Sequence, residues 1–364
     1  MQDIPASYPE SMRAVKVRGP DDLFIDSAAP VPALRPGYLL IKVFSVALNP
    51  TDWKRVAIFD GKVPRTVGCD VAGRVLACGE DIGQDYKPGD RVAGLCYGMK
   101  EDDPTSGAFG EYALLKGTLS LPIPDHVSDL EAATIPVGTN FVGQALYHTL
   151  KLPLPPLHFK HTDRNAPAIL IYGGATASGM FGLQYARLSG LRVLTTCSPH
   201  NFQLVRALGA HEAFDYHDSK ACSVAIRTAT NNNLCYALDC VSEGFSLQIC
   251  ADALTSRSNV AVYTAALPIG DKFPRQDVQH GWTSGYTAFG ESTHLTGKLR
   301  PTNMVDPAFT ADFWKITAEL LRQDRLRLGP LVHGREGGLA GVPSGLSELR
   351  SGRVSAGKLV YSLD

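Results

Sequence analysis

Residues 169–201 of the chain read ILIYGGATASGMFGLQYARLSGLRVLTTCSPHN. An apolar strand pattern, Ala168–Tyr172, runs directly into a loop of small residues, 173–179, and a helical pattern over 180–188 follows. This order places backbone N–H groups and a helix N-terminus against a pyrophosphate, and small loop residues let phosphates approach the backbone. The stretch therefore predicts a βαβ unit that binds a dinucleotide.

The loop lacks the strict G-x-G-x-x-G spacing of the dinucleotide fingerprint. Taken alone, it is also consistent with a βα turn that needs glycines only for its own geometry. The end of the next strand favours the cofactor-binding interpretation.

The second predicted strand, 191–197, ends without a carboxylate. Folds that prefer NAD usually carry an acidic residue there, which holds the ribose 2′-hydroxyl and would repel a 2′-phosphate. The side chains of Ser198, His200 and Asn201 instead suit a phosphate, and a helix that begins near Asn201 adds its dipole. The turn predicts NADPH, although Ser198 and Asn201 can also act simply as helix caps.

Strands and helices alternate in the remainder of this half. Further strands are predicted at 212–215, 236–240 and 259–263, and helices at 201–208, 220–230 and 245–254. Such βαβαβ alternation predicts a parallel, doubly wound sheet. In the tail, 312–321 and 345–350 predict helices and Lys358–Ser362 a final strand.

Roughly the first 120 residues predict an all-β region. Runs rich in Val, Ile and Leu at 12–17, 38–48, 71–77 and Arg91–Leu95 are separated by turn residues. The plainest turn is KPGDRV at 87–92, where Pro88 and Gly89 set a tight corner before the strand resumes.

A helical pattern begins near Leu130 and runs towards Leu150. Ser128 is a plausible N-cap, and Glu131 three residues later completes a capping box. Pro136 must kink or divide this helix. The Pro-rich stretch 151–167 then predicts an exposed connector.

Length and charge limit the class of protein. The 364 residues correspond to roughly two domains at ~150 residues each, and a net charge of −1 gives no global field to attract nucleic acid or an anionic membrane. The sequence shows neither an N-terminal apolar h-region nor a run of ~20 apolar residues. We therefore expect a soluble, cytoplasmic protein that binds neither nucleic acid nor a membrane.

Cysteine spacing argues against metal and disulfide frameworks. The eight cysteines form no CxxC and have no His at zinc-ligand spacing. No G-x-S-x-G elbow accompanies His126, His158, His161 or His280, so a Ser-His-Asp hydrolase is also disfavoured.

Several motifs together resemble the medium-chain dehydrogenase/reductase superfamily over nearly the whole chain. They are SVALNPTDWK around Asn49, RTVGCDVAGRVLACG around Cys69 and Asp70, KPGDRV, the Rossmann-like half and the closing GKLVY. The zinc alcohol dehydrogenases of that superfamily have a Cys near the position of Asn49, a His-Glu pair where this chain has Cys69-Asp70, and a four-Cys lobe. All three are missing here, so the chain resembles the zinc-independent quinone and enoyl reductases.

The match narrows further within that branch. YGGATASG, TCSPHNFQLVRALGAHEAFDY, NNNLCYALDCVSEG and FGEST resemble the trans-acting enoyl reductases of fungal polyketide synthases, the lovastatin-pathway type. The resemblance implies an α/β fold with a GroES-like β-rich domain at 1–155 and 308–364 and a Rossmann NADPH-binding domain at 156–307. It also implies a monomer that serves a highly reducing synthase, or a synthase–peptide synthetase hybrid, and its acyl carrier protein.

The implied reaction is conjugate reduction, which needs a hydride at the β-carbon, stabilisation of charge on the thioester oxygen and a proton at the α-carbon. A cation near the carbonyl would stabilise the enolate, and Lys54, two residues after NPTD, is the candidate catalytic residue for that role. The resemblance adds Thr139 as a second catalytic residue, near the nicotinamide ribose or the substrate. Lys54 is the only lysine in the NPTD loop, and it can equally be a solvated surface lysine. Thr139 follows a helix kink, and it can equally bond back to a helix carbonyl.

Other contacts are carried over from the same resemblance. Cofactor contacts are expected from Asn49, Pro50, Thr51, Asp52, Ala175, Thr176, Ala177, Ser178, Ser198, Pro199, His200, Asn201, Tyr216, Val262, Tyr263, Val354 and Ser355. Substrate contacts are expected from Pro136, Gly138, Phe289 and Gly290, and no metal is expected. Tyr216 is placed at the end of the third strand, and Val262 and Tyr263 at the end of the strand nearest the nicotinamide; Tyr216 can also be a half-buried strand aromatic.

These observations predict a trans-acting, NADPH-dependent enoyl reductase of secondary-metabolite biosynthesis. Two alternatives stay open: a stand-alone NADPH-dependent quinone or alkenal reductase, and a non-catalytic NADPH-binding partner of a synthase.

Overall fold

The computed structural model describes residues 8–157, 166–291, 293–295, 298–300 and 305–363. The chain forms two compact units, Met1–Val137 with Tyr286–Asp364, and Gly138–Gly285. The second unit begins and ends earlier in the chain than the 156–307 division expected from the sequence. His158, His161, Ser292 of the FGEST motif and part of the 151–167 connector lie outside the described residues.

The strands within the described residues are β1 (Ser11–Gly19), β2 (Asp22–Pro30), β3 (Tyr38–Ala47), β4 (Arg65–Thr66), β5 (Asp70–Cys78), β6 (Arg91–Leu95), β7 (Tyr112–Lys116), β8 (Ser120–Pro122), β9 (Ala168–Tyr172), β10 (Arg192–Thr196), β11 (Glu212–Phe214), β12 (Tyr236–Asp239), β13 (Val262–Ala265), β14 (Gln279–Trp282), β15 (Thr293–Leu295), β16 (Lys298–Arg300), β17 (Val332–Arg335) and β18 (Lys358–Ser362). The α-helices are α1 (Pro50–Ala57), α2 (Asp129–Ala133), α3 (Pro136–Gly143), α4 (Ala177–Leu188), α5 (Phe202–Ala207), α6 (Ser219–Ala229), α7 (Ser246–Ala253), α8 (Val305–Arg322) and α9 (Gly338–Arg350). Among these helices none combines the length and apolar character needed to cross a bilayer.

The unit Gly138–Gly285 is built on a six-stranded sheet in the order β11-β10-β9-β12-β13-β14. Every neighbouring pair in it is parallel. This is the strand order of a dinucleotide-binding fold, with β9 at the point where the order reverses. Its core contains Leu170, Leu194, Ile249 and Tyr263. The predicted doubly wound parallel sheet is therefore confirmed.

The fifth strand of that sheet starts later than the sequence predicts. Asn259, expected to begin it, has a left-handed φ of 60°, and Val260 is exposed. The apolar residues continue on both sides of the true boundary, so the hydrophobic pattern could not place it. Val262 and Tyr263 consequently begin β13 instead of ending it, and that part of the prediction is wrong.

The other unit contains a seven-stranded sheet with β17-β18-β3-β5-β6-β8 in order and β7 paired to β3, and a three-stranded sheet β2-β1-β4. The predicted β-rich character of the N-terminal region is confirmed, with one exception. Residues expected to form the NPTD loop form helix α1, which Pro50 opens at a position where its missing N–H costs nothing.

The helical segment after Ser128 follows the prediction closely. Ser128 Oγ accepts from the Glu131 N–H at 3.2 Å, and the Glu131 carboxylate accepts from the Ser128 N–H at 3.0 Å, so the capping box is present. Pro136 divides the segment and opens α3, and a π-helical stretch, Gln144–Thr149, continues it.

Helix α9 is longer than the predicted 345–350 because tertiary packing overrides its glycines and Pro343. A Cβ on Gly341 would lie 2.6 Å from the Tyr361 ring, and one on Gly345 would lie closer still to the Tyr361 hydroxyl. The glycines therefore let α9 pack closely on β18.

Candidate active site

The loop after β9 has the close packing expected where a phosphate meets backbone. Gly173 has a φ of 78°, and Thr176 caps α4 by accepting from the Gly179 N–H at 3.0 Å. A Cβ on Gly174 would lie 2.0 Å from Thr195 Oγ1, so only glycine fits at that position. The loop thus has its own geometric need for glycine, and it also presents the N-terminus of a twelve-residue helix.

The candidate phosphate contacts Ala175, Thr176, Ala177 and Ser178 are half-buried in this loop. They follow β9 at the carboxyl edge of the parallel sheet, where ligands of such sheets bind. This edge can therefore hold the dinucleotide implied by the sequence.

The turn after β10 lies at the same edge. Pro199–Asn201 is a 3₁₀ turn in which Pro199 and His200 are exposed and Asn201 is buried. Ser198 Oγ lies 3.4 Å from the hydroxyl of Tyr216. The structure thus brings Ser198 and Tyr216, two of the predicted cofactor contacts, close together.

Tyr216 lies two residues beyond the end of β11, whereas the sequence placed it directly at the end of the third strand. Its ring is 36% exposed and stacks on His217 with ring centroids 4.5 Å apart. His217 in turn contacts the Asp215 carboxylate. An exposed ring beside Ser198 is free to meet a nucleotide, whereas a packed strand residue would not be.

Arg206 is a residue at this edge that the sequence interpretation missed. Its guanidinium carbon lies 5.5 Å from the centroid of the Phe202 ring, one helical turn back towards the start of α5. Burial raises the pKa of the Cys197 thiol to about 11, and the charge of Arg206 opposes that rise. The sequence did contain a signal for Arg206, because it is a basic residue one turn into the predicted helix. Helical side chains lean towards the N-terminus, so its guanidinium points back towards the turn after β10.

Tyr263 is part of the core of the unit and does not line the carboxyl edge. It is fully buried, and its hydroxyl donates to Asp239 Oδ2 at 2.8 Å. The other Asp239 oxygen accepts from the Val241 and Ser242 N–H groups, both at 2.8 Å. The strand reaches the edge at Ala265, so that residue holds the position that the sequence interpretation gave to Tyr263.

Thr139, on α3, is fully buried, and its hydroxyl has no hydrogen-bond partner among the described residues. The alternative that it bonds back to a helix carbonyl is therefore wrong. The next residue, Asn140, donates to the Gly285 carbonyl at 2.8 Å. A buried hydroxyl without a partner is costly, which makes Thr139 a candidate for ligand contact.

Pro136 and Gly138, expected to touch substrate, lie in the first turn of α3. A Cβ on Gly138 would lie 2.6 Å from the Phe181 ring, so this glycine is needed for packing against α4. That packing accounts for the glycine whether or not substrate also touches it.

Lys54 lies on helix α1 and is half-buried. Its Nζ lies 5.5 Å from the centroid of the neighbouring Trp53 ring. Thr51, three residues earlier on α1, has its Oγ1 3.0 Å from the hydroxyl of Tyr286. The helix thus presents a hydroxyl and a cation on a rigid element.

Tyr286 is the centre of a buried aromatic group that the sequence interpretation missed. Its ring centroid lies 4.7 Å from that of Tyr97, and the Tyr97 ring lies 5.2 Å from the ring of Phe289. The Arg55 guanidinium lies over the Tyr286 ring at 5.0 Å and donates to the Tyr286 hydroxyl at 3.2 Å. Phe289 is therefore a core residue here, and Gly290 follows it with a φ of 67°.

A second buried group surrounds Asp70. Its Oδ2 accepts from Asn49 Nδ2 at 2.8 Å and from the Lys358 ammonium, and its Oδ1 accepts from the Val137 N–H at 2.7 Å. Asp70 and Lys358 are 0% and 2% exposed, so this is a buried ion pair. Asn49 itself is buried, so its side chain acts within this group.

Asp52 is buried beside the same group. Burial raises its pKa to about 7; the Asn49 N–H opposes that rise, and the charge of Asp70 adds to it. Its Oδ1 has no hydrogen-bond partner among the described residues.

Val354 and Ser355 lie between α9 and β18. Val354 is half-buried against the core of its unit, and Ser355 is exposed. Their expected contact with a cofactor stays a prediction.

The positions that hold zinc in related dehydrogenases carry a different donor set. They present an amide at Asn49, a thiol at Cys69 whose pKa is raised by burial, and the Asp70 carboxylate paired with a lysine. Within the described residues, no cluster of three or more His, Cys, Asp or Glu side chains could hold a metal ion.

Comparison with known proteins adds a family match, two relatives and one solved structure. Residues 35–125 match the alcohol dehydrogenase GroES-like domain family. The chain is 42% identical over 354 residues to the trans-enoyl reductase ACTTS2 of Alternaria alternata, covering 97% of this chain and 99% of the relative. It is 40% identical over 360 residues to the trans-enoyl reductase resD of Aspergillus sclerotiorum, covering 96% and 99%. An alcohol dehydrogenase superfamily protein from Novosphingobium aromaticivorans has the same fold, with a TM-score of 0.75, 19% identity and coverage of 97% and 100%.

Proposed function

Because the chain belongs to the trans-enoyl reductases of the medium-chain dehydrogenase/reductase superfamily, a group of oxidoreductases, we propose that it reduces the α,β-unsaturated acyl thioester of a carrier-bound polyketide. The observation that carries the proposal is similarity over the whole length to enzymes named for this reaction. The proposed partner is a highly reducing polyketide synthase, alone or fused to a peptide synthetase. The enzyme acts on it in trans, as a cytoplasmic monomer.

Family membership implies a nicotinamide cofactor, and we propose NADPH. When bound, that cofactor supplies the hydride. The residues at the carboxyl edge of the parallel sheet fit such a group. The loop before α4 offers backbone N–H groups, the Ser198–Asn201 turn carries no carboxylate, and Arg206 adds a cation beside it. A guanidinium and a hydroxyl are suited to a 2′-phosphate.

We assign Lys54 the role of stabilising negative charge on the thioester oxygen. A cation on a rigid helix is effective there because it is already oriented before charge develops. The half-buried position of Lys54 limits competition from water.

We assign Thr139 a ligand contact, either to the substrate carbonyl or to the nicotinamide ribose. Its hydroxyl is buried and lacks a partner, so a bound ligand would satisfy it. The Gly290 turn and Phe289 remain proposed contacts of the acyl chain.

The test is NADPH oxidation by the purified protein with three acceptors: a crotonyl pantetheine thioester, the same acyl group on a carrier protein, and a free quinone. The proposal expects turnover of both thioesters, faster with the carrier-bound one, and loss of turnover in Lys54→Ala. Preference for the quinone would indicate a stand-alone reductase. Unchanged product formation in Lys54→Ala and Thr139→Ala, with the synthase present, would indicate a non-catalytic partner.

A further inference from the structure

The Asp70 carboxylate links the starts of two helices. Through Oδ2 it accepts from Asn49 Nδ2 at 2.8 Å, and Asn49 immediately precedes Pro50, the first residue of α1. Through Oδ1 it accepts from the Val137 N–H at 2.7 Å, and Val137 is the second residue of α3. One carboxylate therefore fixes the first turns of the helices that carry Lys54 and Thr139.

Lys358 makes this arrangement possible inside a core. Its ammonium contacts Asp70 Oδ2, the oxygen that also accepts from Asn49, and the Lys358 and Asp70 side chains are 2% and 0% exposed. A carboxylate only accepts hydrogen bonds, so it can take the Asn49, Lys358 and Val137 donors at once. An amide in its place would set one of its own N–H groups against a donor.

Lys358 is also held in a fixed position. It is the first residue of β18, which pairs with β17 and with β3. The cation that neutralises Asp70 thus comes from a strand with a neighbour on each side, and the carboxylate has little freedom to turn.

We propose that Asp70, paired with Lys358, is a positioning residue of the enoyl reductase reaction. It sets the first turns of α1 and α3, and through them the side chains of Lys54 and Thr139, without touching the reacting atoms. The inference rests on the proposed function. It differs from the alternative that the pair only stabilises the core, because that alternative predicts no effect confined to the two helices and β18.

The first measurement is hydrogen exchange, which needs no turnover. In Asp70→Asn, amide exchange is expected to rise in peptides that cover Pro50–Ala57 and Pro136–Gly143 and, because Lys358 loses its counter-charge, in β18, with the rest of the chain unchanged. Asn49→Ala removes one of the hydrogen bonds to Asp70, together with the Asn49 bond to the Ala47 carbonyl, so the rise should be confined to the first of these helices. Exchange that rises evenly over the whole unit would overturn the proposal.

The second measurement is steady-state kinetics per folded molecule. Asp70→Asn is expected to lower kcat by about 10²-fold, as misplacement by ~1 Å can do, with a smaller change in KM. Lys16→Met is the control, since Lys16 is a largely buried lysine, with 11% of its side chain exposed, and is paired with Asp26 on the β1–β2 sheet. It is expected to lower stability and leave kcat unchanged.

The double variant Asp70→Asn/Lys358→Met covers the case in which Asp70→Asn does not fold. It leaves no unpaired buried charge, so it should fold and still show the low kcat. A double variant that is unfolded, or is folded with wild-type kcat, would assign the pair to stability alone. Absence of enoyl reduction by the wild type would instead overturn the proposed function. The exchange result would then still decide whether Asp70 fixes the first turns of α1 and α3.

Discussion

Asp52 Oδ2 accepts a hydrogen bond of 2.7 Å from the backbone N–H of Asn49, while Asp52 Oδ1 is buried without a partner among the described residues. The carboxyl group is thus half satisfied. It faces Asp70, the Cys69 thiol and Lys358, and burial outweighs the favourable contacts in raising its pKa to about 7. Ionisation of the Asp52 carboxyl is therefore less favourable in the folded state than in the unfolded state.

The first prediction concerns the pH dependence of stability. An Asp whose folded pKa lies above its unfolded pKa binds the proton more tightly when folded, so its contribution to stability is lost as pH rises from about 4 to about 7. Asp52→Asn keeps an acceptor for the Asn49 N–H and removes the titration. The variant should become more stable than the wild type by up to about 4 kcal/mol between pH 4 and pH 8. Urea unfolding at both pH values measures this, and parallel pH profiles would contradict it.

The second prediction is that Thr139→Val separates stability from activity. Valine has the same shape, and it removes a buried hydroxyl that has no partner, so the free energy of unfolding should rise by about 1 kcal/mol. Since we propose that this hydroxyl contacts the substrate carbonyl or the nicotinamide ribose, its loss should lower kcat by about 10²-fold. Thermal unfolding and NADPH oxidation with the crotonyl thioester measure the two effects.

Thr230→Val is the control for that experiment. Thr230 is also buried, but its hydroxyl donates to the Ile226 carbonyl at 3.0 Å. Its replacement should lower stability slightly and leave kcat unchanged. If Thr139→Val also keeps its kcat, the hydroxyl has no role in the reaction.

Local patterns in the sequence were enough to predict much of the fold. The bounds of β6, β9 and β18 and the capping box of α2 were predicted as observed, because each depends on neighbouring residues alone. Helix α1 was missed because Asn49-Pro50 is typical of a turn, and the helix depends on how Asp52 and Asp70 use the donors of Asn49. The predicted helix at 345–350 was shorter than α9, because the glycines of α9 are favourable in a helix only through its close packing against Tyr361.

Residues of the candidate site could be predicted only where they belong to a sequence motif or match a residue of the resembling family. The Asp70–Lys358 pair joins residues 288 positions apart, and no local pattern indicates such a contact. Tyr286 and Arg55 were missed for the same reason. The unpartnered hydroxyl of Thr139 depends on packing on all sides of one residue, which periodicity does not describe.

The third prediction concerns the loop after β9. In Gly174→Ala the new methyl group would meet Thr195 Oγ1, which itself donates to the Ile171 carbonyl at 2.6 Å. Either the loop or that hydrogen bond must give way, so stability should fall by about 1–3 kcal/mol and NADPH affinity should fall with it. Gly281→Ala is the control, because a Cβ there meets no atom within 4 Å. Equal unfolding midpoints for the two variants would contradict the packing argument.

The last prediction concerns the choice between NADPH and NADH at the turn after β10. Arg206→Ala removes the cation that lies near Cys197, the residue before Ser198, and it should weaken NADPH about 10-fold while leaving NADH unchanged, because only NADPH carries the 2′-phosphate. Ser198→Asp adds the carboxylate that NAD-preferring folds use, so it should lower NADPH affinity further and improve NADH. Arg187→Ala, in the last turn of α4 beside His211, is the control and should change neither. Fluorescence titration with both nucleotides measures the ratio of dissociation constants, and a ratio unaltered in Arg206→Ala and Ser198→Asp would remove this turn from cofactor selection.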